Sequence, residues 1–325
     1  MRRQKTEIIL IVFLIFSILI NVGLTIYNTR ILIQNSQLRK EVFNENNNDF
    51  ELLSPNIAWL EVNDFLEKQK IFTISYQDLK PAIEETLTDN ANGYYGFYFE
   101  DLVTGAWLGI NEREEFVPVS LLKVPLMIAV LKEVEQGGLS LDDEIEIMPS
   151  DIDMAWGELG DKLGQKFTVK ELLEHMIQDS DNTAFRTLYR ILPSERLGET
   201  LLAVGLKSDT TTAITPKLYS NMLRSLYLSS YLRRPMSEIA LNIMLYTKYN
   251  SQIPAGVPSN VPVAHKIGFY FQEGYYHDCG IVYVPKKPYI LCVMSKNTNQ
   301  VEANKVISTV SKIVYDFVTT GNVTR

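Results

Sequence analysis

The chain has 325 residues, of which 46% are hydrophobic and 22% are charged, so it is long enough to bury a large core in one or two domains. Its net charge of −8 argues against a general nucleic-acid-binding protein, which would present a basic surface. Two cysteines and three widely separated histidines do not form a pattern of metal ligands, so no metal site is predicted.

The N-terminal segment, residues 1–27, is predicted to be a membrane anchor. Its apolar part begins at Ile8 and is about 20 residues long, which suffices to span a bilayer as a helix. Arg2, Arg3 and Lys5 precede this part and predict a cytoplasmic N-terminus. A cleaved signal peptide is the alternative interpretation. Both interpretations place the rest of the chain on the extracytoplasmic side, and the first predicts a single-pass protein of the cell membrane.

Residues 28–72 are predicted to be a stalk or linker, because residues 28 to about 50 are largely polar and include an asparagine-rich run at 44–49. Residues 51–72 are ambiguous by pattern. A compact domain is expected over residues 73–325. It begins with a helix predicted over Tyr76–Leu87.

Aromatic and β-branched residues predict the first strand at Tyr94–Leu102 and its hairpin partner at Trp107–Ile110. Next comes a segment from Ser120 to residue 136 that is apolar nearly all round, which is typical of a central buried helix. Gly137 and the glycine after it are expected to end that helix.

Residues 140–247 are mostly helical by pattern, and a capping box at Thr168–Glu171 opens one of these helices. Three further strands and a closing helix are predicted at Val261–Phe269, Tyr276–Val284, Tyr289–Ser295 and Gln300–Phe317. Strands from both ends of the domain can then form one sheet, with the helical block inserted between them.

The only Ser-x-x-Lys sequence of the chain is Ser120-Leu121-Leu122-Lys123, at the start of the buried helix. Residues three apart on a helix share a face, and a serine needs a nearby base to become a nucleophile. A lysine can be that base if burial or a neighbouring cation lowers its pKa. Taken alone, the same four residues are better explained by a helix cap and a surface lysine.

Two weaker motifs follow. Ser180-Asp181-Asn182 comes after a predicted helix, where it could relay a proton and bind an amide, or only cap the next helix. Lys266-Ile267-Gly268 lies on a predicted strand, where the lysine could supply a second cation and the glycine could admit a substrate backbone.

In this order, the three motifs resemble those of the class A β-lactamases and penicillin-binding D,D-peptidases. Phe116–Val119 before the serine resembles the same family. So do the segments Asp209–Thr212, Val263–Lys266 and His277–Tyr283. The resemblance covers about residues 73–320. It implies the β-lactamase/transpeptidase-like α/β fold, in which an antiparallel sheet of about five strands is flanked by helices and accompanied by an all-helical region.

The resemblance also implies a role for each matching residue. Ser120 would form the acyl-enzyme, Lys123 would transfer protons and Ser180 would pass a proton to the leaving nitrogen. Asn182 would bind the amide side chain of the substrate, and Lys266 would attract the substrate carboxylate.

The backbone amides of Ser120 and Phe269 would form the oxyanion hole. Gly268 is assigned to substrate binding with Phe269. Trp156 lies where the family often has an aromatic gate, although a core tryptophan is an equal alternative.

Two departures from the family pattern affect function. Ile267 stands where the family usually has a hydroxyl residue that contacts the substrate carboxylate. The class A loop with Glu-x-x-Leu-Asn, whose glutamate activates the deacylating water, is missing. Only residues 183–208 separate the second motif from Asp209, and Glu195 and Glu199 in this gap are expected on a helix surface.

The resemblance implies a serine hydrolase that forms an acyl-enzyme with D-Ala-D-Ala-like peptides or β-lactams and uses no metal or organic cofactor. The N-terminal apolar segment adds the expectation of a membrane anchor, and the missing loop glutamate adds the expectation of slow deacylation. Its expected partners are a peptidoglycan-like peptide or a β-lactam, and the membrane through the N-terminal helix. A true β-lactamase and a weakly catalytic binding or sensor module remain as alternatives.

The remaining candidates are interpreted as structural. His265 and His277 are expected to flank the sheet. Cys279 and Cys292 fall on neighbouring strands, and an extracytoplasmic location would permit a disulfide. Because pairs on adjacent strands seldom have suitable geometry, the two cysteines are expected to remain unlinked.

Overall fold

The computed structural model describes residues 52–53, 76–89, 93–207 and 212–322. In chain order its strands are β1 (Tyr94–Asp101), β2 (Trp107–Ile110), β3 (Glu144–Glu146), β4 (Lys166–Thr168), β5 (Val263–Tyr270), β6 (Tyr275–Val282) and β7 (Tyr289–Lys296). Its helices are α1 (Lys80–Thr88), α2 (Lys123–Gln136), α3 (Val169–Gln178), α4 (Asn182–Ile191), α5 (Arg196–Ala203), α6 (Pro216–Tyr227), α7 (Arg234–Leu245) and α8 (Gln300–Thr320).

Five strands form one antiparallel sheet in the order β2-β1-β7-β6-β5. The two N-terminal strands therefore lie beside the three C-terminal ones, as the sequence predicts. This is the β-lactamase/transpeptidase-like fold. The helical block between β2 and β5 is inserted into one sheet that is built from both ends of the domain.

The two faces of the sheet are covered by different helices. α1 and α8 cover one face, where Phe97, Phe99, Leu291 and Val293 belong to a continuous apolar core. α6 and α7 pack on the other face. Since side chains alternate along a strand, each strand of the sheet contributes to both layers.

Helix α2 is central and buried, as its apolar composition predicts. Every residue from Val124 to Leu131 is buried, and the helix ends at Gly137, whose φ of 80° is readily adopted only by glycine. A 3-10 turn over Val119–Leu122 precedes the helix, so Ser120 lies in that turn and Lys123 is the first α-helical residue. The fold thus places the Ser-x-x-Lys sequence next to the sheet.

The structure differs from the sequence prediction within the helical block. Strands β3 and β4 form a small antiparallel hairpin in this region. Each strand has only three residues, which is too short for an alternating pattern to stand out in the sequence. The predicted capping box is confirmed. The Thr168 side chain accepts a hydrogen bond from the Glu171 amide, and the Glu171 carboxylate accepts one from the Thr168 amide.

The expectation that the two cysteines remain unlinked is wrong. Cys279 on β6 and Cys292 on β7 form a disulfide. They are directly opposite each other in the strand register, and their Cα atoms are 3.9 Å apart. This close approach of directly opposed residues brings the two sulfur atoms together, which the general expectation for neighbouring strands did not anticipate.

The predicted anchor and most of the predicted stalk lie outside the described residues, so those boundaries stay predictions. Leu52 and Leu53 are described and buried. The Leu52 amide donates to the Glu238 carboxylate at 3.3 Å, and its carbonyl accepts from the Tyr283 hydroxyl at 3.1 Å. Within the four described ranges, none of the helices combines the length and apolar character that a membrane span requires.

The disulfide is expected to stabilise the domain. A bridge between residues 13 apart should contribute about 3 kcal/mol, mainly by restricting the unfolded chain. We therefore expect the Cys279→Ala/Cys292→Ala variant to unfold at lower denaturant concentration than the wild type. The control is reductant, which should shift the wild-type transition but not that of the variant. A wild-type transition that reductant leaves unchanged would contradict the bridge.

Candidate active site

The Ser120 turn is held in an unusual backbone conformation. Val119, immediately before the serine, has a φ of 46°, which is a rare conformation for a β-branched residue. The turn packs against strand β5. A Cβ atom added to Gly268 would lie 2.8 Å from Val119 Cγ2 and 3.1 Å from the Pro118 carbonyl oxygen. Gly268 therefore allows the Ser120 turn itself to approach the strand.

Lys123 extends from the start of α2 into a buried polar cluster. Its Nζ lies 3.3 Å from Ser120 Oγ, 3.1 Å from Ser180 Oγ and 2.7 Å from Asn182 Oδ1, and it also donates to the Ser180 carbonyl. Burial lowers the pKa of the amine to about 7, although the negative charges of Asp181 and Asp153 oppose this shift. A substantial fraction of the Lys123 amine is therefore neutral near pH 7, and its lone pair can accept the Ser120 proton.

Ser180 and Asn182 are positioned by the junction between α3 and α4. Ser180 has a φ of 57°, and Asp181 caps α4 by accepting a hydrogen bond from the Ala184 amide at 2.8 Å. The other Asp181 oxygen accepts from the amides of Glu158 and Leu159 at 2.6 and 2.8 Å. Asp181 thus fastens the Ser180 motif to the loop that follows Trp156.

Gly157 makes this arrangement possible. Its φ is 113°, and an added Cβ would lie 2.1 Å from the second oxygen of Asp181, so a side chain at this position would collide with the carboxylate. The sequence gives no role to Gly157. A helix cap was one interpretation of the Ser180 motif, and Asp181 does cap α4, but its bonds to Glu158 and Leu159 depend on the fold.

Lys266 approaches Ser180 from the opposite side. Its Nζ lies 2.9 Å from Ser180 Oγ and 3.2 Å from the Ile267 carbonyl oxygen, and the side chain is fully buried. Burial lowers the Lys266 pKa well below its ordinary value, and the neighbouring positive charge of Lys123 adds to this effect. The buried Asp278 carboxylate opposes it. A substrate carboxylate close to this amine would favour its charged form.

The four polar groups form a continuous hydrogen-bonded chain from Ser120 through Lys123 and Ser180 to Lys266. A proton can pass along this chain in short steps. The amine can take the proton from one hydroxyl, while the second hydroxyl can deliver a proton to a leaving group. The sequence predicts these four residues, and the structure brings them into contact. Their catalytic roles remain predictions, as do the assignments of the Ser120 and Phe269 amides to an oxyanion hole.

Ile267 is buried between the lysine and the glycine of the third motif. Because side chains alternate along a strand, it points away from the face that carries Lys266. Its register partner on β6 is Asp278. Ile267 therefore packs on the face of the sheet opposite to Lys266.

Trp156 lies beside the serine motifs and belongs to an aromatic wall formed by Trp156, Tyr249, Phe269 and Phe271. The Trp156 and Phe269 rings meet edge to face, with centroids 4.6 Å apart. Trp156 Nε1 donates to the Tyr249 hydroxyl at 2.9 Å, and that hydroxyl donates to the Asp179 carbonyl at 3.0 Å. Trp156 is half-buried, so it is not a core tryptophan, and its predicted gating role remains a prediction.

A cavity of about 340 Å³ adjoins Trp156 and Tyr249. In its neighbourhood Glu158, His175 and Asp179 lie close enough together to share a cation. The Lys248 amine, however, is 2.8 Å from Glu158 and 2.6 Å from Asp179. The protein therefore already supplies a positive charge to both carboxylates.

The two glutamates of the shortened gap lie on the protein surface. Glu195 and Glu199 are both exposed, and Glu199 is paired with Arg196 at 2.9 Å. Among the described residues, no carboxylate is hydrogen-bonded to Ser120 or Lys123. Asp209 falls in the range 208–211, which lies outside the described residues.

Comparisons with known proteins agree with this architecture. A sequence model described as the beta-lactamase enzyme family matches residues 78–318. The chain is 24% identical to beta-lactamase VEB-1 of Pseudomonas aeruginosa over 246 residues, which cover 65% of this chain and 80% of VEB-1. It is 30% identical over 117 residues to the beta-lactamase regulatory protein BlaB of Streptomyces cacaoi, covering 35% of this chain and 37% of BlaB.

Among solved structures, PBP-A superposes with a TM-score of 0.67 and 26% identity, over 74% of this chain and 95% of PBP-A. An L158E mutant of PBP-A, solved as an acyl-enzyme complex with penicillin G, superposes with a TM-score of 0.66. The family match includes all three motifs and both parts of the sheet. The chain belongs to the beta-lactamase enzyme family and is a serine hydrolase of that family.

Proposed function

We propose that this protein is a membrane-anchored penicillin-binding hydrolase that acylates Ser120 with a D-Ala-D-Ala-like peptide or a β-lactam and releases the acyl group slowly. The observation that carries this proposal is the hydrogen-bonded chain Ser120–Lys123–Ser180–Lys266. It contains a hydroxyl nucleophile, a buried base, a second hydroxyl for the leaving group and a second amine.

Acylation follows from this geometry. The neutral Lys123 amine accepts the Ser120 proton while Ser120 Oγ attacks the substrate carbonyl and forms the new ester bond. The substrate C–N bond then breaks, and Ser180 donates a proton to the departing nitrogen. Lys123, which lies 3.1 Å from Ser180 Oγ, returns the proton to that hydroxyl. Lys266 beside Ser180 attracts the substrate carboxylate.

Slow deacylation is supported by the surroundings of the serine. Hydrolysis of an acyl-serine requires a base that positions and activates water. The carboxylates of Glu195 and Glu199 are exposed. Within the described part of the chain, no carboxylate of any residue is hydrogen-bonded to Ser120 or Lys123. Absence of a positioned base should cost about 10²–10⁴-fold in the rate of this step. PBP-A, of which an L158E mutant was solved as an acyl-enzyme complex with penicillin G, is among the similar solved structures.

A true β-lactamase is the second candidate, and the similarity to VEB-1 favours it. The two functions share acylation of Ser120 and differ only in the lifetime of the acyl-enzyme. They are therefore separated by the rate of release.

Ser120→Ala is expected to abolish covalent labelling by fluorescent penicillin and leave the fold intact, because it removes only the attacking oxygen. Labelling is read on a denaturing gel, and the modified peptide is mapped by mass spectrometry. Ser251→Ala, which changes an exposed serine, is the matched control and should label like the wild type. An acylated peptide that maps to a residue other than Ser120 would disprove the assignment.

Labelling of intact cells by a membrane-impermeant penicillin tests the proposed extracytoplasmic location.

Acylation should depend on pH through Lys123. Since the folded-state pKa of its amine is about 7 and the neutral form is the base, the second-order acylation rate should fall about tenfold per pH unit below pH 7. It should level off above that value.

Lys123→Arg keeps the positive charge but cannot lose a proton, so above pH 7 it should acylate about 10²–10⁴-fold more slowly than the wild type. Its rate should lack the wild-type fall below pH 7, so the difference between the two should shrink there. A wild-type rate that is constant between about pH 5 and about pH 9 would rule out Lys123 as the base.

The acyl-enzyme should persist for minutes or longer. We expect a chromogenic cephalosporin to give a stoichiometric burst followed by turnover slower than the usual enzyme range of about 1–10³ per second. Glu195→Gln and Glu199→Gln should release the acyl group as slowly as the wild type, because both carboxylates are exposed. Turnover within the usual range would favour the β-lactamase candidate, and a loss of turnover in either variant would identify its deacylation base.

A further inference from the structure

Backbone groups of Phe116, Val117 and Pro118, the segment that leads into Ser120, are held by hydrogen bonds. The amide and carbonyl of Phe116 each bond to Ile214 at 2.9 Å. The Pro118 carbonyl accepts from the Leu121 amide at 3.0 Å. Between them, the Val117 carbonyl accepts a hydrogen bond at 2.9 Å from a side chain, Nε2 of His277.

The position of this bond matters because a residue with a strained backbone follows Val117 closely in the chain. Val119, two residues after Val117, has a φ of 46°. A β-branched residue keeps such a conformation only where its surroundings impose it. Gly268 on β5 has no side chain and therefore leaves room for Val119 Cγ2, so the turn can pack directly on the strand. His277 is the register partner of Gly268 on β6, so the two residues hold the same short turn from adjacent strands.

His277 is itself held in one orientation and one protonation state. Its Nδ1 lies 3.1 Å from the Ser295 amide, which can only donate, so Nδ1 must be the acceptor. The proton therefore resides on Nε2 and is donated to Val117. The ring is fully buried and makes edge contacts with Phe116 and Tyr275, with centroids 6.0 Å apart in both cases. Burial lowers the His277 pKa to about 4, which keeps the imidazole neutral near pH 7.

We propose that His277 is a positioning residue for the nucleophile. It connects the central strand β7, at Ser295, to the Val117 carbonyl and thereby fixes the strained turn that aims Ser120 Oγ at the substrate. The proposal rests on the proposed acylation of Ser120. His277 acts through the backbone and makes no contact with the reacting atoms.

Two substitutions separate the two hydrogen bonds of the histidine. His277→Gln carries an amide donor at about the reach of Nε2, so it can retain the bond to Val117. His277→Asn carries a carbonyl acceptor at the reach of Nδ1, so it can retain the bond to Ser295 but not the one to Val117. If the Val117 bond positions the serine, the first-order acylation constant of the Asn variant should fall by about 10–10²-fold. The Gln variant should keep most of the rate, and the binding constant that precedes acylation should change little in both variants.

Ser311→Ala provides the control for stability alone. It removes the buried hydrogen bond from Ser311 Oγ to the Ile253 carbonyl at 2.8 Å, on helix α8 away from the serine. This variant should unfold at lower temperature and acylate at the wild-type rate. Equal acylation constants in the Gln and Asn variants, or a faster Asn variant, would overturn the proposal. A wild type that is never acylated would instead disprove the proposed function.

The wild-type protein gives a test that does not depend on the folding of variants. Nitrogen-15 NMR of protein labelled in its three histidines, assigned with the Gln variant or by contacts to the Tyr275 ring, reports the tautomer of His277. The proposal requires protonated Nε2 and unprotonated Nδ1 at neutral pH. A His277 that carries its proton on Nδ1, or that titrates near the ordinary value of 6.5, could not donate the bond to Val117 as described and would overturn the proposal.

Discussion

Burial of the Lys123 amine between two serine hydroxyls is the constraint on which the rest of the site depends. An ammonium group removed from water loses its proton more readily unless a carboxylate pairs with it. The negative charge that opposes this loss most strongly, Asp181, is already bound by three backbone amides from Glu158, Leu159 and Ala184. It makes no hydrogen bond to the amine, so the pKa of Lys123 remains low and the amine can act as a base.

The backbone around this amine is correspondingly strained. Val119 and Ser180, which flank Lys123 from two different elements, both have positive φ angles. In each case a glycine on another part of the chain leaves the room that the strained segment needs. Gly268 admits the Val119 turn, and Gly157 admits the Asp181 carboxylate that follows Ser180. The two strained residues thus bring both hydroxyls to one amine, and the five-stranded sheet provides the rigid support against which this strain is maintained.

Sequence reasoning could predict the sheet, the buried helix α2 and the grouping of Ser120, Lys123, Ser180 and Lys266, because each lies within a motif or a strong apolar pattern. It could not predict what depends on contacts between distant residues. His277 was interpreted only as flanking the sheet, since nothing in the sequence shows its bond to Val117. The Cys279–Cys292 disulfide was missed because it requires an exact strand register. The assignment of Gly268 to substrate binding stays a prediction, whereas its close approach to Val119 depends on the fold and could not be predicted.

Lys123 can serve as a base at neutral pH only if its amine has a low pKa, and that pKa can be measured directly. Carbon-13 NMR of protein labelled at lysine Cε, compared with the Lys123→Arg variant, identifies the Lys123 signal and its pKa. We expect a signal that titrates near pH 7 and is missing from the variant. A Lys123 signal that titrates near the ordinary lysine value of 10.5 would show that the amine stays charged, and would contradict its role in activating Ser120.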